Sequence, residues 1–284
     1  MSSLVKRTMA AASLAIALFV PVVAHADPAA DQYNLAVQFK REGKIPEAIA
    51  ACQKAISLRS NYAAAHRTLS SLYRAQGNYK QAVVELEATL KIEPKDLEAR
   101  MNLGIAYVRL GRVDDGIREL EAARDLKPDD YDTRVALARA YKQKGDYKHS
   151  IEHLVKATEL KPADVEAWKS LGIARSKTDD KDGAVVALKK AIELSPKDAE
   201  LHFDIATVYR RQLKPDIAIT EYETAVQMNP RLAKAYYDLG LLYSQDKKTA
   251  EAKAAFEKYI KYGSGAGEDA ASLKDAQERL KTFK

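Results

Sequence analysis

The residues best able to do chemistry are His149 and His153, in the run His149-Ser150-Ile151-Glu152-His153. This is H-x-x-E-H, a spacing used by zinc peptidases. Histidines four apart share a helix face and can ligate zinc through imidazole nitrogens. Asp115 and Glu119 stand 34 residues earlier and could lie nearby. Three fixed residues are easily matched, however. Ile151 and Leu154 belong to the same helical segment and must face its packing. His149 and His153 are then expected on the outer side, with no cleft for a substrate. The expectation is no catalysis and no metal site. His66 and His202 occupy packing slots, and the single cysteine, Cys52, reads as a small buried apolar side chain. No nucleophile–base set or nucleotide fingerprint is present. The run Gly263-Ser264-Gly265-Ala266-Gly267 has no following Lys-Ser/Thr, so it reads as a flexible joint. Asp129-Asp130 and Asp179-Asp180 read as turn residues. No cofactor is implied.

The interval of 34 residues that links His149 to Asp115 recurs throughout the chain. Pro94, Pro128, Pro162, Pro196 and Pro230 are spaced by 34, and Ser60 and Ser264 extend the series. This frame gives seven units: 29–62, 63–96, 97–130, 131–164, 165–198, 199–232 and 233–266. Within the third, Arg100, Leu103, Gly104 and Tyr107 fall on one face of a helix. Gly111 then suits a left-handed helix end. Gly116, Leu120, Ala123 and Arg124 follow helical spacing again, and Pro128 closes the unit. Position 8 of each unit is small: Ala36, Ser70, Gly104, Ala138, Gly172, Ala206 and Gly240. So is position 20: Ala48, Ala82, Gly116, Ser150, Ala184, Ala218 and Ala252. Small residues at these points allow two helix backbones to approach closely.

This pattern resembles the tetratricopeptide repeat (TPR) family: Leu at 7, Gly or Ala at 8, Tyr at 11, Ala at 20 and Pro at 32. The resemblance covers residues 29–266. It implies an all-α, right-handed α-solenoid of seven helix-turn-helix units, with residues 267–284 as a C-terminal capping helix. There, Leu273, Ala276, Leu280 and Phe283 share one face. The fifth unit departs most, with Arg175 at position 11, Asp179 at 15 and Lys181 at 17. Glycine at position 15 is present in units one to four and missing from five to seven, which predicts altered turns in all three later units.

Residues 1–26 read as a secretory signal peptide. Lys6 and Arg7 form a charged start, Met9 to Val23 an apolar stretch too short for a membrane span, and Ala24-His25-Ala26 a cleavage site. Asp27 and Pro28 then make a good helix start. The expected location is the periplasm or the exterior, with no integral membrane span. Losing Lys6 and Arg7 leaves 44 cations against 40 acids, a balance of +4 that gives no argument for nucleic acid.

The family resemblance makes the concave groove lined by first helices the binding surface, with positions 2, 5, 9, 12 and 13 facing it. Position 2 is acidic at Glu98, Asp132, Glu166 and Glu200 and basic only at Lys234. Positions 5 and 9 supply Tyr33, Arg67, Ser71, Met101, Ile105, Val135, Arg139, Lys169, Ile173, Phe203, Tyr237 and Leu241. Positions 12 and 13 supply Lys40, Arg41, Arg74, Arg109, Lys142, Lys177, Arg210 and Arg211, with no acid in any unit. The expected partner is a protein or peptide with acidic segments. Helix-dipole complementarity alone could also place cations at a helix end. The family's carboxylate clamp is not expected, because Asp132 and Ala136 stand where it needs cationic residues. A non-enzymatic scaffold binding a peptide segment or envelope protein is the leading reading. A self-associating structural protein is the alternative, and a zinc enzyme ranks last.

Overall fold

A computed structural model describes residues 27–263 and 270–283 of the protein. The signal-peptide segment 1–26 and the glycine-rich joint at 264–267 lie outside the described residues. Among the described residues there are fifteen α-helices and no strand. The first six units are α1 (Pro28–Arg41) with α2 (Ile45–Leu58), α3 (Ala63–Ala75) with α4 (Tyr79–Ile92), α5 (Leu97–Arg109) with α6 (Val113–Leu126), α7 (Tyr131–Lys144) with α8 (Tyr147–Leu160), α9 (Val165–Ser176) with α10 (Lys181–Leu194), and α11 (Ala199–Arg211) with α12 (Pro215–Met228). The seventh pairs α13 (Ala233–Gln245) with α14 (Thr249–Gly263), and α15 (Ala270–Thr282) follows. Each helix packs on its neighbours in the chain, giving a stack of hairpins.

Local chemistry sets the helix starts. Asp27 accepts from the Ala29 and Ala30 N–H groups, with Pro28 at the first helical position. Asp96, Asp130 and Asp164 cap α5, α7 and α9 by accepting from the N–H of Ala99, Thr133 and Ala167. Asp198 caps α11 through Glu200. Asp130 is thus a helix cap, as its turn position suggests.

The small residues at positions 8 and 20 bring each hairpin's backbones together. In the third unit a Cβ on Gly104 would stand 2.8 Å from the Gly116 carbonyl oxygen and 2.6 Å from Leu120 Cγ. A Cβ on Gly116 would stand 2.7 Å from the Gly104 carbonyl oxygen. Neither position can take alanine without movement of backbone. Leu120, fully buried, fills the space beside Gly104, and Val108 fills that beside Gly116.

The turns correct one expectation. Gly43, Gly77, Gly111 and Gly145 have φ of 74°, 73°, 80° and 84°. Units six and seven lack glycine yet keep the same left-handed turn, through Leu213 at φ 58° and Lys247 at φ 57°. The backbone bond that closes the glycine turns is kept, with Lys214 N–H donating to the Tyr209 carbonyl at 3.0 Å and Lys248 N–H to the Tyr243 carbonyl at 2.9 Å, against a cost of roughly 1–2 kcal/mol per L-residue. Unit five alone abandons the geometry, since Asp179 has no positive φ.

At the far end α15 packs on α14. Ala276 is fully buried there, and Leu273, Leu280 and Phe283 are partly buried, with Phe283 stacked on Phe256. The apolar face read from the sequence is the face that covers the end of the stack.

Candidate binding groove

Neighbouring first helices are joined edge to edge. The Thr68 hydroxyl donates to Tyr33 Oη at 3.4 Å, and Lys40 Nζ donates to Ser71 Oγ at 2.9 Å. Lys169 Nζ lies 3.8 Å from Asp204 Oδ2. The Tyr237 hydroxyl donates to Asp275 Oδ2 at 2.9 Å. Three of these pairs link position 5 of one unit to position 6 of the next, or to its counterpart on α15. The surface formed by the first helices is therefore continuous, and α15 extends it in the place of an eighth first helix.

The sequence-read groove residues divide by what they touch. Arg67 pairs with Asp96 at 2.5 Å. Phe203 packs against Tyr222 and carries Lys234 over its ring. Arg210 lies 3.6 Å from Asp238. With Tyr33, Lys169 and Tyr237, these side chains brace adjacent helices. Arg74, Arg109, Arg139, Lys142 and Lys177 differ: no acid among the described residues lies within ion-pair distance of any of them. Arg74 is half-buried, and that burial lowers its pKa from the ordinary guanidinium value. Met101, Ile105, Val135 and Ile173 lie between these cations, each partly exposed.

Two carboxylates escaped sequence reading. Asp204 and Asp238 both occupy position 6, one unit apart. Burial pushes Asp204 up to about 6 against the pull of Lys169 and Lys234. Burial also raises Asp238, which accepts from the Tyr222 hydroxyl at 2.9 Å. The available signal was an acid at position 6 in two successive units, where the other five units have none.

His149 and His153 part company. His149 is exposed, with Nδ1 2.6 Å from Asp146 Oδ2. His153 is buried rather than turned outward, which corrects the expectation for that residue. Both rings stack on Tyr141, at 5.0 and 5.6 Å. Position 23, where His153 sits, faces position 4 of the same unit. His66–Glu85, Arg100–Glu119 and His202–Glu221 pair across that gap. In unit four Arg134 Nη1 lies 3.3 Å from His153 Nδ1. A guanidinium only donates, so His153 accepts there as a neutral ring. No group of three or more potential metal ligands occurs among the described residues.

A stack of helical hairpins, open along one continuous helix face, defines a solenoid repeat protein. Family models agree on the type. Tetratricopeptide repeat models match residues 40–96 and 73–130, 165–198, and 203–271, and a TPR repeat model matches 138–179. The chain belongs to the tetratricopeptide repeat family. No curated protein matches it. Among solved structures, MamA is similar with a TM-score of 0.55 and 28% identity, over 58% of this chain and 96% of that one. The Cut9 complex with Hcn1, an APC/C hetero-tetramer, gives a TM-score of 0.56 at 23% identity, over 77% of this chain and 43% of that one. A tetratricopeptide repeat protein from Parabacteroides merdae ATCC 43184 gives 0.64 at 17% identity, over 90% and 98%. The last two likenesses bear on the fold alone.

Proposed function

We propose that the protein is an exported, non-enzymatic scaffold that holds an acidic peptide segment or envelope protein in its groove. One observation carries this reading. Arg74, Arg109, Arg139, Lys142 and Lys177 span four successive units and have no acidic partner within ion-pair distance among the described residues. Cations serving only the fold would be expected to find internal acids, as Arg67 and Lys169 do. Unpaired cations beside an apolar floor suit an amphipathic acidic segment, with the charges raising encounter rate and specificity. Dipole complementarity accounts for cations at positions 12 and 13, near helix ends. It does not account for Arg139 at mid-helix. Export rests on the leader-like segment 1–26 and is supported by Asp27, which caps the first described helix one residue beyond the cleavage site.

The test is Arg74→Glu/Arg109→Glu/Lys142→Glu. Partners captured from an envelope extract should bind the parent at least about tenfold more tightly than this variant at low salt, with a smaller gap at moderate salt. Equal capture by a folded variant would refute the groove reading.

A further inference from the structure

The strongest unassigned feature is a cleft of about 680 Å³ beside the turn of the sixth unit. Its apolar wall is Leu213, Pro215, Leu241 and Leu242, from the turn, the start of α12 and α13. Its two charged lining residues are both arginines, Arg210 from α11 and Arg279 from α15. Asp238 and Asp275 pair with these arginines but are not part of the lining. Arg210 Nε is buried without a hydrogen-bond partner.

Leu213 is an independent observation. It is 87% exposed, the most exposed of the large apolar side chains among the described residues. It also takes a left-handed φ of 58° where four other units place glycine. Neither burial nor backbone preference explains a leucine there. Lys247 takes the same left-handed φ in the next unit, so what sets Leu213 apart is an exposed apolar side chain at such a turn. Here that side chain stands at the rim of a cleft whose opposite features are two guanidinium groups.

We propose that this cleft receives an acidic, apolar segment of the partner polypeptide. An apolar side chain packs on Leu213, Pro215, Leu241 and Leu242, and the neighbouring carboxylate bonds Arg279 and Arg210. Guanidinium groups pair bidentately with planar oxyanions, and on an unmodified polypeptide that acceptor is a carboxylate. The inference rests on the groove reading above and adds a terminal subsite to it. It makes the partner's apolar residue, in addition to its charge, a determinant of binding.

Fluorescence anisotropy with three short labelled peptides in a Gly/Ser background separates the possibilities. One carries Leu-Glu pairs, one Leu-Gln pairs and one Ser-Glu pairs. The Leu-Glu peptide should bind the parent at least about tenfold more tightly than either control. Leu213→Gly keeps the turn geometry and should lose most of the preference over Ser-Glu. Arg279→Gln should lose most of the preference over Leu-Gln, and Arg279→Lys should recover part of it. Arg74→Glu/Lys142→Glu should weaken both Glu peptides alike and leave their ratio unchanged. If the parent binds both Glu peptides equally, or if Leu213→Gly and Arg279→Gln keep the parent's ratios, the cleft is not the subsite. The groove reading would survive that result if the Arg74/Lys142 variant still weakened both. Failure of the parent to bind the Leu-Glu peptide also overturns the cleft, and the capture experiment then decides the groove separately.

Discussion

The Tyr141 hydroxyl donates to Glu121 Oε1, 20 residues earlier in the preceding unit, at 2.5 Å. The same bond joins Tyr107 to Glu87 at 2.5 Å and Tyr243 to Glu223. Gln53 Nε2 donates to Tyr73 at the first junction. Position 11 of one unit is thus tied to position 25 of the unit before. Unit five breaks the ladder twice. Its Arg175 has Val155 at the corresponding place and turns back to the Gly183 carbonyl. Its own position 25 is Lys189, which leaves Tyr209 without the carboxylate.

The array should therefore open most readily at unit five. Amide hydrogen exchange should be faster in 165–198 than in 97–130, since local opening in a solenoid follows its weakest interface. Lys189→Glu restores the acceptor for Tyr209 and should raise stability by about 1 kcal/mol in urea unfolding. Tyr141→Phe should lower it by a similar amount. Equal exchange in the two units would show that the ladder does not set local stability.

Leu213 and Lys247 hold left-handed turns without glycine. Leu213→Gly and Lys247→Gly should each stabilise the protein by about 0.5–1 kcal/mol, the relief of strain exceeding glycine's added unfolded entropy. Gly111→Ala should do the reverse. Thermal unfolding checks both, and a loss on Leu213→Gly would contradict the assignment of strain.

His153 should make the fold acid-sensitive. Burial, with the Arg134 and Arg124 charges, pushes it down to about 4. An unfolded histidine titrates near 6.5. Between those values the unfolded chain takes up a proton that the folded chain refuses, so stability falls as pH drops through that window. His66, raised by its bond to Glu85, and Asp204, raised by burial, act in the opposite sense. The informative quantity is the difference from His153→Gln, which keeps an acceptor and cannot titrate. Relative to the parent, the variant should gain about 1–2 kcal/mol between pH 7 and pH 4.5, allowing for solvent screening. A constant difference across that range would exclude a buried neutral His153.

Protein exported from a bacterial host should begin at Asp27. Intact-mass measurement reads this directly, and retention of residues 1–26 would refute a cleaved leader.

The period of 34, the seven units, the small residues at positions 8 and 20 and the apolar face of the last helix were all legible in the sequence. Each is a local or strictly repeated constraint: a helix face, a cap or a point where backbones must meet. The cations of positions 12 and 13 were equally visible, but not which of them find partners. That depends on distances between neighbouring units, and it separates braced Arg210 from unpaired Lys142. The turns of units six and seven show the same limit. Missing glycine predicted a changed shape, yet the helix pairs on either side of the turn keep its closing backbone bonds, and Leu213 and Lys247 take the left-handed region. His153 looked like half of a metal site because spacing reports only a shared helix face. Its burial against Tyr141 and Arg134 was decided by the helix packed opposite, where a neutral ring fills a position that three other units give to glutamate.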